Sequence, residues 1–271
     1  MKRVTKLCTI LIFAFLYIPI LLLVIGSFNE GTNLALFKGF TLYNYSELFR
    51  DGTLLPLLKN SMILALASSI LATILGTLAA IGIRAMSPGV RSAVMSATNI
   101  PLTNPDIVTG VSLALLFSFA GTMLKTNSIL GFGTLLIAHV TFNLPYVILS
   151  VLPKLRQMDP ALHDAALDLG CKPHQAFFKV TIHEILSGII SGLIMSFTMS
   201  LDDFVISYFV TGTSFVTLPV EIYSMTKKPL PAKIYALFTL MFFVILLMMI
   251  LMNILQSKEE KSRRYRGSVL Q

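Results

Sequence analysis

The sequence predicts an all-α membrane protein whose chain crosses the bilayer six times. Three observations carry that expectation. Of 271 residues, 55% are hydrophobic and 13% charged, with mean hydropathy +0.80, whereas a soluble domain carries roughly 25% charge. Six stretches reach the length of about 20 mostly apolar residues that a spanning helix needs. The Lys and Arg residues are divided unevenly among the connecting loops, as the positive-inside rule requires. The net charge of +8 is therefore assigned to basic loops rather than to a nucleic-acid partner. No polar stretch is long enough to form a separate soluble domain. Cys8 and Cys171 lie in unrelated contexts and form neither a disulfide framework nor a zinc site.

In chain order the spans are expected at about 7–28, 60–83, 93–119, 133–152, 186–210 and 233–255. The first follows MKRVTK. Its apolar run is too long for a secretory h-region and no A-x-A site follows, so it is expected to be retained. The second carries Asn60 at one end, Gly76 and Ala80 as small packing positions, and Arg84 at the other end. The third is interrupted by Pro101, Pro105 and Asp106. It is either a broken helix or a short stretch leading into a span from about Ile107, which Asp106 is expected to cap. With six spans both termini share one side. The termini and the two loops on that side hold twice as many Lys and Arg residues as the three loops opposite, which places both termini in the cytoplasm.

The loop 153–185 is not a span. Asp159 followed by Pro160 is a helix start, a capping side chain before a proline that needs no N–H. Leu162, Ala165, Ala166 and Leu169 fall on one helical face, and Gly170 suits the left-handed turn that ends a helix. Pro173 opens a second short helix carrying Phe177 and Phe178. Basic and acidic residues balance in this loop, so it is expected to dock against protein rather than lipid headgroups.

The stretch DAALDLGCKPHQAFFKVTI, 164–182, resembles the EAA loop of ABC-importer permeases. The matches are Ala165, Ala166, Gly170, Val180 and Ile182; Asp164 replaces the usual Glu, and His183 stands where Pro is usual. The resemblance implies a type I ABC-importer permease fold, one transmembrane domain over 1–271 with its core at about 56–255 and a basic cytoplasmic tail at 256–271. It also implies that Asp164, Ala165, Ala166, Gly170, Phe177 and Phe178 couple to an ATPase subunit. Three further stretches, IPLTNPDIVTGVSLALLF, SLDDFVISYFVTG and TLPVEIYSM, resemble PotC-type permeases of spermidine/putrescine importers. The implied partners are a homologous second permease, an ATPase dimer, an extracellular binding protein, a polyamine and membrane lipid. No cofactor is implied, because ATP is used by the partner.

Asp202 and Asp203 close the fifth apolar run. An Asp at the centre of a spanning helix costs about 2.5–3.5 kcal/mol, so the pair needs a reason. It can mark a helix break with Asp203 bonding nearby N–H groups, relay a proton, or attract a cation together with Phe204 and Tyr208. Asp203 continues a stripe of Gly188, Gly192, Ser196, Ser200 and Ser207, and is expected on the substrate pathway; Asp202 is expected to be structural. Glu221 and Tyr223 are candidates for contact with a binding protein or the cation.

Other classes are disfavoured. There is no HExxH, GxSxG or GxxxxGK[ST], so neither an intramembrane hydrolase nor an ATPase is expected. His139, alone in the fourth span, is expected to hydrogen-bond between helices. A secondary transporter would leave the loop 153–185 without a role.

Overall fold

The computed structural model describes residues 2–31, 36–125, 129–213, 215–227 and 229–269. Lys228 and the side chains of the basic tail 256–271 lie outside the described residues. Twelve helices follow one another (counting those among the described residues), and six are long and apolar enough to cross a membrane: Thr5–Ser27, Leu54–Ala85, Asp106–Met123, Phe132–Gln157, Pro173–Leu201 and Ala232–Ile250. The chain divides into two compact units, 1–58 with 222–247, and 59–221 with 248–271.

In the first unit α1 (Lys2–Ser27) is apolar all round, and none of its apolar window is buried, as befits a lipid-facing helix. Its end is tied to α2 (Tyr43–Phe49) by the buried Asn44 amide, which donates to the Ser27 and Asn29 carbonyls at 2.9 Å each. Asp51 begins α3 (Leu54–Ala85) by accepting the N–H groups of Thr53 and Leu54, both at 2.7 Å. Lys233, in the first turn of the last helix α12 (Ala232–Val269), bridges Glu47 at 3.1 Å and Asp51 at 2.9 Å.

The second unit holds α4 (Pro88–Thr103), α5 (Asp106–Met123) and α6 (Phe132–Gln157). The third expected span is thus two helices. Pro105 forces Asn104 into extended backbone, at φ −80° and ψ 136°, because a residue before proline is pushed out of the helical region. The expected cap is corrected here: α5 begins at Asp106 itself, with Pro105 in the cap position and no side-chain capping bond from it. The carboxylate instead lies in the first turn, where the helix dipole favours it.

Helix α7 (Pro160–Asp168) is followed by α8 (Pro173–Ala176), a π-helical turn (Phe177–Thr181) and α9 (Ile182–Leu201). The fifth span therefore starts at Pro173 rather than about 186, and ends at Leu201 rather than running to 210. Then come α10 (Val205–Val210) and α11 (Leu218–Met225). One core forms where α3, α6 and α9 meet, with Ala72, Ala80, Val147, Val151 and Ile185 inside. A second gathers Phe117, Leu135, Ala138, Ile206 and Val210 from α5, α6 and α10. Gly76 packs directly on α6, where an added Cβ would stand 2.7 Å from Val147, as small residues in membrane helices allow. Arg91 closes the end of α3 by donating to the carbonyls of Ile83, Arg84 and Met86.

Candidate functional site

Two features stand apart from packing. The first is the break at 202–204. Helix α9 stops at Leu201, and Asp202 takes φ −99° and ψ 0°. The helix starts again because the Asp203 carboxylate accepts the backbone N–H groups of Ile206 at 3.3 Å and Ser207 at 2.7 Å. Those donors belong to the first turn of α10, which has no helical partners for them. The break alternative thus describes the local structure.

The stripe behind Asp203 is a packing seam within the chain. Gly188, Gly192, Ser196, Ser200 and Ser207 are all buried. A Cβ added at Gly188 would lie 2.8 Å from the Ser150 carbonyl, and one at Gly192 would lie 3.2 Å from the Val147 Cα. Helix α6 packs against the stripe at these two glycines. The two carboxylates differ in setting. Asp203 is 9% exposed and turned to the backbone, whereas Asp202 is exposed at the end of α9. Phe204 and Tyr208 share the break, their ring centroids 5.5 Å apart, with the Tyr208 ring half exposed. Glu221 stands in the first turn of α11, and Tyr223 two residues later is exposed.

His139 is the residue that sequence reasoning placed but did not connect. It lies on α6, fully buried, with Nδ1 2.5 Å from Ser200 Oγ and Nε2 3.0 Å from Ser207 Oγ. Nε2 is also 3.5 Å from Asp203 Oδ2. Ser68 of α3 joins the cluster at 2.9 Å from Ser200. The signal in the sequence was that Ser200 and Ser207 share a helical stripe with Asp203.

The second feature is the loop 153–185. Asp159 accepts the Ala161 N–H at 3.0 Å ahead of Pro160. The end of α7 is a Schellman turn: Cys171 N–H reaches the Ala166 carbonyl at 3.1 Å and Gly170 N–H reaches Leu167 at 2.9 Å. Gly170 has φ +86°, the left-handed backbone that the motif needs. His163 Nδ1, 3.3 Å from Thr181 Oγ1, ties α7 to the π turn. Ala166 is buried inside this hairpin, while Asp164 and Ala165 face outward. Leu169 at 86% and Phe178 at 64% exposure give it an apolar outer surface, with Phe177 edge-on to Phe178 at 5.2 Å. Among the described residues no cluster of three or more His, Cys, Asp or Glu could hold a metal.

Six helices long and apolar enough to cross a membrane, with one hairpin between two of them, define a multi-pass membrane protein. Residues 72–261 match the family "Binding-protein-dependent transport system inner membrane component", and the chain belongs to that family. It is 37% identical to the spermidine/putrescine transport system permease PotC of Haemophilus influenzae, over 91% of this chain and 94% of the relative. It is 35% identical to the putrescine transport system permease PotI of Escherichia coli, over 93% and 90%. Among solved structures it resembles a chain of a bacterial ABC transporter that imports alginate, at TM-score 0.71 and 15% identity over 96% of this chain and 95% of that one. It also resembles a chain of the MetNI methionine ABC transporter, at TM-score 0.53 and 18% identity over 78% and 95%. The fold is that of ABC-importer permeases.

Proposed function

We propose that this chain is one permease subunit of an ATP-driven importer of polyamines, built with a homologous second permease, an ATPase dimer and an extracellular binding protein. The observation that carries the polyamine reading is the exposed Asp202 carboxylate at the break that also carries the Phe204–Tyr208 ring pair. A carboxylate with aromatic faces attracts an ammonium through charge and cation–π contact, and Asp203 behind it adds to the negative potential. The named functions of the relatives at 35–37% identity support the same cargo class.

In this reading both termini lie in the cytoplasm and the loop 153–185 docks on the ATPase through Asp164, Ala165 and Phe178, with Ala166, Gly170 and Phe177 shaping it. Closure of the ATPase dimer on ATP moves the hairpin. Because α8, the π turn and α9 form one continuous run, that movement reaches the break at Asp202 along a single element. Glu221 and Tyr223 meet the binding protein or the arriving cation.

The test is uptake of labelled putrescine and spermidine by cells lacking their own polyamine importers and carrying the complete transporter. Asp202→Asn is expected to lower uptake at limiting substrate while the ATPase still co-purifies. Unchanged uptake removes Asp202 from the pathway. Uptake of another solute with none of either polyamine keeps the permease class and overturns the cargo. Solute-coupled ion flux through this chain alone would instead indicate a secondary transporter.

A further inference from the structure

His139 is engaged through both ring nitrogens: Nδ1 stands 2.5 Å from Ser200 Oγ and Nε2 stands 3.0 Å from Ser207 Oγ. Ser68 Oγ, 2.9 Å from Ser200 Oγ, backs the first contact from α3. One rigid ring on α6 thus holds the last turn of α9 with one nitrogen and α10 with the other. Between these two anchors lie only Asp202, Asp203 and Phe204 in non-helical backbone.

We propose that His139 is a positioning residue for transport: it pins the two helical segments on either side of the break and so sets the direction in which Asp202 presents its carboxylate. Asp203 accepts N–H groups of α10 and lies 3.5 Å from His139 Nε2, so its link away from α10 runs through the same ring. The ring can pin both segments because it is immobilised, fully buried with Phe142 edge-on at 5.3 Å. Helix α6 is itself locked to α9 at Gly188 and Gly192. A group misplaced by about 1 Å can cost as much as 100-fold in rate, so the angle at the break is a functional quantity. The inference rests on the proposed role of Asp202 for its functional half, and on geometry alone for its structural half.

The experiment uses the assembled transporter in lipid nanodiscs with spin labels at positions 195 and 208, the exposed Met195 on α9 and Tyr208 on α10. With His139 present a narrow distance distribution is expected. His139→Leu is expected to broaden it, and His139→Asn, which keeps a polar amide able to reach one serine, to fall between. An unchanged distribution in both variants overturns the proposal. In unlabelled transporter His139→Leu is expected to lower maximal uptake per assembled complex about tenfold, a modest misplacement effect, with the half-saturating concentration of loaded binding protein unchanged. Because His139 acts through Asp202, adding His139→Leu to Asp202→Asn is expected to cause no further loss; losses that multiply overturn the functional half. If Asp202→Asn alone leaves uptake intact, the cation reading fails, and the label distances alone support or overturn the role of His139. Should His139→Leu fail to assemble, His139→Asn carries the same measurements.

Discussion

The Asp203 carboxylate and the Ser207 backbone N–H stand 2.7 Å apart, tying the three-residue break after α9 to the first turn of α10. A helix start buried among apolar neighbours needs an acceptor for its free donors. Removing that acceptor by Asp203→Ala is expected to cost about 1 kcal/mol, the usual worth of a capping side chain. Asp203→Asn keeps one oxygen and is expected to lose less. Thermal unfolding of the purified transporter measures the difference, and amide exchange at Ile206 and Ser207 is expected to accelerate in the alanine variant. Equal stability and equal protection in both variants would show that another group caps α10.

Gly170 makes a different demand. Nothing lies within 4 Å of a Cβ added there, so the obstacle to substitution is the backbone at φ +86°. For a side chain other than glycine this conformation costs roughly 1–2 kcal/mol, more for a β-branched one. Gly170→Val is therefore expected to distort the turn between α7 and α8. Its proposed consequence is ATP hydrolysis that no longer drives uptake, whereas Gly170→Asn, tolerant of the left-handed region, retains most coupling. The ratio of transported solute to ATP hydrolysed decides it.

The residues that could be placed from sequence share one property: local chemistry fixes them. Asp159 with Pro160 starts α7, and Gly170 ends it, because caps and turns are written within a few residues. The six spans were legible because length and hydropathy are enough to define them. What the sequence left undecided depended on distant partners. The stripe ending at Asp203 has the same composition whether a helix or a solute lies against it, and only the position of Val147 and Ser150 on α6 answers that. His139 could be given a general role but not its partners, which lie 61 and 68 residues away along the chain. The π turn at Phe177–Thr181 carries no residue that announces it, and it joins the second short helix directly to the fifth span.

The seam between α6 and α9 gives a prediction about size. A Cβ at Gly188 would sit 2.8 Å from the Ser150 carbonyl oxygen and 2.9 Å from Lys154 Cγ. The lysine can move but the backbone oxygen cannot, so Gly188→Val is expected to destabilise by about 1–3 kcal/mol, the range for overpacked cores. Gly82 on α3 is the internal control, with nothing within 4 Å of its added Cβ. Gly82→Ala is expected to be neutral or to stabilise by up to about 1 kcal/mol, from the better helix propensity of alanine. Thermal midpoints of the two variants should therefore move in opposite directions, or Gly82→Ala should stay level.

The ion pair of the first unit predicts a pH dependence whose sign is fixed. The Lys233 ammonium, 2.9 Å away, holds the Asp51 carboxyl below its ordinary value, and the N–H groups of Leu54 and Thr53 act in the same sense against partial burial. A carboxyl depressed in the folded state contributes stability that is complete above its unfolded pKa, near 4, and that is lost as pH falls through the folded value. Asp51→Asn keeps an oxygen to accept the N–H groups that begin α3 but removes the charge, so it imitates the protonated form at every pH. The difference in thermal midpoint between the natural protein and Asp51→Asn is expected to be level from about pH 7 to pH 5 and to shrink below about pH 4. Since the shift is driven chiefly by Lys233, repeating the comparison in a Lys233→Met background should abolish most of that slope. A difference that stays constant down to about pH 3 would mean that the pair contributes nothing to folding and that Asp51 serves α3 only as a cap.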